Sequence, residues 1–139
     1  KVNFAPENII FELTESEKIT QPEHALRIIK DYQQRGFLTA IDDFGAGYAG
    51  LNLLADFQPD IVKLDMALTR DIDRDAVRRA IVSGIIGTCR ALNCTVIAEG
   101  VERLGELDTL REMGIHLFQG YLFARPGLEC LPEPDLTCV

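Results

Sequence analysis

TAIDDFGAGYAGL occupies residues 39–51. It begins as a strand, because Thr39, Ala40 and Ile41 are β-compatible or apolar and follow Phe37 and Leu38. The run then meets two adjacent carboxylates, Asp42 and Asp43, and after Phe44 come Gly45 and Gly47. Like charges side by side at the end of a buried strand repel each other and resist burial. The glycines favour a tight turn. Gly50–Phe57, GLNLLADF, then reads as a short helix, which makes the stretch a βα unit with acids at the carboxyl end of its strand.

The same alternation extends in both directions. Asn8–Leu13 is an apolar run, and the segment 21–36 has Ala25, Ile28, Ile29 and Tyr32 at helical spacing with Gly36 as a stop. Downstream, Ile61–Leu64 is a third run. A long helical stretch over 73–92 follows, with Val77, Ala80, Ile81, Ile85 and Cys89 assigned to one face and Asp75 near its start. Cys94–Ala98 is the fourth run, Leu104–Met113 a helix stopped by Gly114, and Ile115–Phe118 the fifth run. Five strands alternating with helices predict an α/β fold with a parallel sheet and right-handed crossovers. The acidic, proline-containing segment 127–139 is expected to be a loosely held tail to the domain formed by 1–126.

Each run delivers polar groups at its carboxyl end. The first gives Glu12 and Glu15, the second Asp42 and Asp43, the third Lys63 and Asp65, the fourth Glu99 and Glu102, and the fifth Gln119. A parallel sheet places all these ends on one edge, where α/β folds build their sites. One acid at a strand end is ordinarily a solvated turn or a helix cap. Five strands doing the same is harder to ascribe to turns. Glu12, Asp42, Asp43 and Glu99 would converge around the single cation Lys63, and such a cluster is self-repelling unless a divalent ion joins it. All-oxygen donors suit Mg2+ or Mn2+ rather than zinc. Adjacent aspartates suit two ions about 3.5–4 Å apart, an arrangement for phosphoryl transfer.

Composition narrows the alternatives. The chain has 139 residues, 47% of them hydrophobic, and a formal net charge of −8. That charge argues against a general grip on DNA or RNA, which needs a basic face. No run approaches the roughly 20 apolar residues of a membrane helix. Cys89, Cys94, Cys130 and Cys138 form no C-x-x-C pair, and His24 and His116 sit far apart in the sequence, so free thiols and a cytoplasmic setting are expected. His116 opens the fifth strand, away from the polar edge, and is read as structural. The charged stretch 70–79 reads as a solvated helix start. Gly45 and Gly47 could cradle a phosphate, but a lone G-x-G is a weak signal and turn geometry is preferred. Tyr121 and Phe123 suit either stacking on a base or packing.

FELTES, IDDFGAGYAGL, PDIVKLD, VIAEGVE and QGYLFARP, in that order between Ile9 and Pro126, resemble the later motifs of the EAL domain, a family of cyclic di-GMP phosphodiesterases on a TIM-like barrel. The resemblance implies metal-dependent hydrolysis of cyclic di-GMP to linear pGpG with two Mg2+ or Mn2+ ions. It implies Glu12, Asp42, Asp43 and Glu99 as metal ligands, with Asp42 bridging. Lys63 and Glu99 take the catalytic roles at the attacking water. Glu15 holds the loop after the Asp-Asp strand, a loop tied to metals, substrate and dimer interface. Asp65, Glu102, Gln119, Gly120, Tyr121, Arg125 and Pro126 fall on the substrate side or behind the ligands.

Two departures accompany it. Where the family has roughly Thr-Gly-Tyr-Ser-Ser-Leu after Asp-Asp-Phe-Gly, Ala46, Ala49 and Gly50 replace three hydroxyl residues. A full barrel takes about 250 residues and eight βα units, and neither the Glu-Ala-Leu motif nor the metal-binding asparagine after it is in this chain. The chain is therefore expected to be the C-terminal part of an incomplete TIM-like barrel, inactive alone. An upstream regulatory or sensor domain is expected in the parent protein. Exposed sheet edges lead to the expectation of a homo-oligomer or a domain-swapped dimer. The competing readings are a catalytically silent module that binds cyclic di-GMP or a protein, and a different metal-dependent barrel enzyme, which the order of the five motifs disfavours.

Overall fold

The computed structural model describes residues 4–15, 22–47 and 50–137. Tyr48, Ala49 and Cys138, named above, lie outside them. After a 3-10 turn at Pro6–Asn8, the elements are β1 (Ile10–Thr14), α1 (Pro22–Gln34), β2 (Leu38–Phe44), α2 (Gly50–Phe57), β3 (Ile61–Leu64), α3 (Met66–Thr69), α4 (Ala76–Ala91), β4 (Thr95–Ala98), α5 (Leu104–Glu112) and β5 (Leu117–Phe118). The strands form one sheet in the order β1-β2-β3-β4-β5, and every pairing is parallel. The expected five-stranded α/β architecture is therefore present.

The core lies between the sheet and its helices. Ile41, Phe44, Val62, Leu64 and Ala98 come from the strands, and Leu54, Phe57, Val82, Ile86, Leu107 and Leu110 from the helices. Alternation along each strand sends these residues to the helix side and their neighbours to the other face. On the first unit, Tyr32 of α1 stacks on Phe11 with ring centroids 4.1 Å apart, and Phe37 meets Phe11 edge-on at 5.3 Å. Helix α1 stops as its sequence predicts: Gly36 takes φ 87°, a left-handed value that glycine adopts without a Cβ penalty.

Helix α4 differs from the sequence expectation. Asp75 caps it, accepting from the amides of Val77 and Arg78. Its buried residues are Val82, Ile86 and Cys89, whereas Val77 is 69% exposed and Ile81 48%. Both sets have helical spacing, because this helix is apolar around much of its circumference. The sheet contact selects the face carrying Val82 and Ile86, a choice periodicity alone does not make.

Residues 127–137 carry an isolated antiparallel bridge between Gly127 and Cys130, and the Asp135 amide donates to the Phe123 carbonyl at 2.7 Å. Leu128 and Leu131 are almost fully exposed. No described helix is long and apolar enough to cross a membrane.

Candidate active site

The acid pair lies inside β2 rather than after it. Ile41 pairs with Val62 and Phe44 with Leu64, so Asp42 and Asp43 together face the single residue Lys63 on β3. Two residues opposite one is a β-bulge. In a regular strand adjacent side chains point to opposite faces. The bulge removes that constraint, at the cost of placing Asp43 at φ 55°, a region few non-glycine residues adopt. As a result, one carboxylate oxygen each from Asp42, Asp43 and Glu99 lies within 4.8 Å of the others. The side-by-side acids are the means by which β2 presents both carboxylates to one place.

Lys63 stands among these acids. Its Nζ is 2.7 Å from Asp42 Oδ1, 3.1 Å from Glu99 Oε1 and 3.3 Å from Glu12 Oε1. The register explains the convergence: Lys63 pairs with Ile97 on β4, two residues before Glu99, while Glu12 on β1 is level with Ala40 on β2. Burial would lower the Lys63 pKa, but hydrogen bonds to Asp42 and Glu99 outweigh it and hold the ammonium protonated well above its usual range. Burial raises the Glu99 carboxyl against the opposing bond from Lys63. Asp43 is raised by burial and then by the charges of Asp42 and Asp65. Without a further cation the group is short of positive charge, which is what a hard divalent ion supplies.

Beside this group lies an open cavity of about 290 Å³ bounded by Asp43, Asp65, Glu99, Glu102, Gln119 and Tyr121. Six sequence-predicted residues from four strand ends thus line it, next to the group around Lys63. Asp65 also caps α3 by accepting from the Ala67 amide at 2.8 Å. Arg125 sits over the ring of Tyr121, a cavity-lining residue, at 4.8 Å as a cation–π pair. Gly120 lies so close to the backbone of Val101 that a Cβ would overlap it. Pro126 is exposed.

Glu15 stays out of the acid group. It is buried, and it accepts from the amides of Gly45 at 2.7 Å, Gly47 at 3.2 Å and Gly50 at 2.7 Å. Its carboxylate therefore binds both ends of the loop that joins the bulge to α2.

Three features escaped the sequence reading. One is the bulge itself. A second is α3, a single turn too short to have a period. The third is a network around Arg103, whose Nη2 lies 2.6 Å from Asp73, 2.9 Å from Asp71 and 3.0 Å from Glu106. Glu106 is almost fully buried, and it also accepts from the amides of Asp71, Glu102 and Arg103. Its position three residues after Arg103 is the usable signal, since a Glu there commonly closes a helix N-terminus. This second acidic group already contains its cation, the guanidinium.

Comparison with known proteins places the chain in a family. The model of the EAL domain family matches residues 2–126. Cyclic di-GMP phosphodiesterase PdeR of Escherichia coli K12 is 44% identical over 91% of this chain and 19% of its own length. The blue light- and temperature-regulated antirepressor BluF of the same organism is 42% identical over 92% of this chain and 32% of its own. The chain thus spans about a third or less of these two relatives. Among solved structures, a standalone versatile EAL protein from Vibrio cholerae O395 in its c-di-GMP bound form superposes with TM-score 0.90 at 49% identity, over 96% of this chain and 56% of that one. A manganese and cy-diGMP complex of BlrP1 from Klebsiella pneumoniae gives TM-score 0.83 at 46% identity, over 88% of this chain and 31% of that one. With the family model matching nearly the whole chain and the fold in agreement, this chain belongs to the EAL domain family.

Proposed function

We propose that the protein carrying this chain hydrolyses one phosphodiester bond of cyclic di-GMP to give linear pGpG, and that this chain supplies most of the site. The observation that carries the reading is the convergence of Glu12, Asp42, Asp43 and Glu99 from three strands on one sheet edge, around the ammonium of Lys63. The donor set is all carboxylate oxygen, which fits hard divalent ions. Asp42, Asp43 and Glu99 would hold them, with Glu12 beside them. When bound, such ions polarise a phosphate and make a water more acidic.

The chain's own groups do the rest. Lys63 remains protonated, so it serves to orient a water or a phosphate oxygen rather than to remove a proton. Glu99, with its raised pKa, is the better placed proton acceptor. Tyr121, with Arg125 over its ring, offers a flat face against which a guanine can stack, and Gln119 and Glu102 offer hydrogen-bonding groups on the same cavity. Glu15 ties the loop after the bulge to the sheet, and so couples loop conformation to Asp43. Because the chain spans about a third or less of the two Escherichia coli relatives, the isolated chain is expected to have little activity. The parent protein works in the cytoplasm as a homo-oligomer under an upstream sensor domain.

A second reading has one observation in its favour: a 42% identical relative is named for antirepressor action. A silent module would bind cyclic di-GMP and leave it intact. Incubating the intact protein with cyclic di-GMP and Mn2+, and separating the products chromatographically, decides between them. Appearance of pGpG that is lost in Asp42→Asn supports hydrolysis. Binding without product supports the silent module.

A further inference from the structure

The backbone of β4 changes partner at Glu99. The Glu99 amide donates to Leu64 of β3 at 3.0 Å, while two residues later the Val101 amide donates to Gln119 at 3.1 Å, on the β5 side. The Glu99 carbonyl falls between the two ladders. It accepts from Thr69 Oγ1 at 2.6 Å, and Thr69 is fully buried. A backbone carbonyl shielded from water needs a partner, and the partner of this part-buried one is a side chain on α3.

The other end of α3 is tied to β2. The Asp65 amide donates to the Phe44 carbonyl at 3.1 Å, immediately beyond the Asp42–Asp43 bulge. Two tight contacts reinforce these bonds. Gly45 has φ 101° and a Cβ there would fall within the Leu68 side chain, and Gly100 has φ 63° and a Cβ there would fall on Met66. Residues 65–69 therefore touch the strand exit that carries Asp42 and Asp43 and the strand exit that carries Glu99.

We infer that α3 is a brace that sets the separation between the β2 carboxylates and Glu99, and that the Thr69 hydroxyl is its positioning group at the Glu99 end. The inference rests on the reading of Asp42, Asp43 and Glu99 as ligands for divalent ions. Thr69 touches neither an ion nor a substrate. It acts by fixing the peptide from which the Glu99 side chain leaves.

The test is Mn2+ binding by the intact protein without substrate, followed by the electron paramagnetic resonance signal of free Mn2+, for wild type, Thr69→Val and Thr69→Ser. Valine keeps the shape of threonine and removes the donor. Serine keeps the donor. Thr69→Val should bind Mn2+ on the order of tenfold more weakly, the low end of what loss of a supporting hydrogen bond costs a metal site, and Thr69→Ser should stay near wild type. Should Thr69→Val fail to fold, Thr69→Cys, with a weak S–H donor, takes its place and should bind Mn2+ more weakly than wild type and Thr69→Ser, and an affinity equal to theirs overturns the brace. Equal Mn2+ affinity in wild type and Thr69→Val overturns the brace, and so does an equal loss in Thr69→Ser. Wild type that binds no Mn2+ overturns the metal reading itself, and the brace with it.

Discussion

Replacing Glu15 by alanine should release the loop between β2 and α2. Among the described residues the carboxylate accepts from the amides of Gly45 and Gly47 on Oε2 and of Gly50 on Oε1. Gly50 is buried, Gly45 is half-buried and Gly47 is exposed. Water can replace the acceptor at Gly47 but not at Gly50. A buried donor left unpaired costs about 1–3 kcal/mol, so the two shielded amides together set an expected loss of about 3 kcal/mol. If the loop opens locally for less, the loss stops at that smaller value. Glu15→Gln offers one oxygen and one NH2 group. It can keep the Gly45 and Gly47 bonds only by turning its NH2 toward the Gly50 amide, so it should recover about half of the loss. The assay is urea unfolding of the intact protein together with hydrogen exchange of the peptide covering 44–51. Exchange there should rise in Glu15→Ala and less in Glu15→Gln, whatever the shift in midpoint. Unchanged exchange in Glu15→Ala would refute the claim that this carboxylate holds the loop.

Other outcomes follow from the same contacts. Burial opposes ionisation of Glu106, but the amides of Asp71 and Glu102 and the Arg103 guanidinium outweigh it and hold its pKa below the usual carboxylate range. The unfolded chain then takes up its proton first as pH falls. The stabilisation is complete above about pH 4.3, the ordinary glutamate value, and is lost on further acidification. Thermal melts from pH 6 to pH 3 should therefore fall more steeply for wild type than for Glu106→Gln, and parallel curves would contradict this. Burial pushes the Cys89 thiol up to about 11 and raises Cys94 also. Iodoacetamide at pH 7.5 should modify the exposed Cys130 and spare Cys89 and Cys94 until denaturant is added. Gly120→Ala should destabilise the protein by about 2 kcal/mol, read from thermal melts, because the new methyl group overlaps the Val101 backbone. A wild-type melting temperature would contradict that packing.

The sequence exposed the fold more fully than the site. Five apolar runs and the helices between them needed only periodicity and stop residues such as Gly36 and Gly114, whose left-handed φ values bear out the stops. The site acids were legible as strand-end residues because a parallel sheet brings all its carboxyl ends to one edge. What periodicity could not supply was local. Nothing in TAIDDFG marks a bulge, since adjacent acids are equally consistent with a strand that has already ended. Thr69 looked like any residue after an apolar stretch, and its role depends on a carbonyl thirty positions away. The Val77–Ile81 face of α4 met every criterion for a core face except contact with the sheet.

The bulge at Asp42–Asp43 and the exit of β4 at Glu99 bring three carboxylates together, and their proposed role is to hold divalent ions. Anomalous diffraction at the manganese edge, from crystals of the intact protein grown with Mn2+, tests it most directly. Two peaks about 3.5–4 Å apart are expected, with Asp42 between them, Asp43 on one, Glu99 within ligand distance and Lys63 alongside. Manganese absent from these carboxylates, or gathered instead at Asp71, Asp73 and Glu106 where Arg103 already sits, would contradict it.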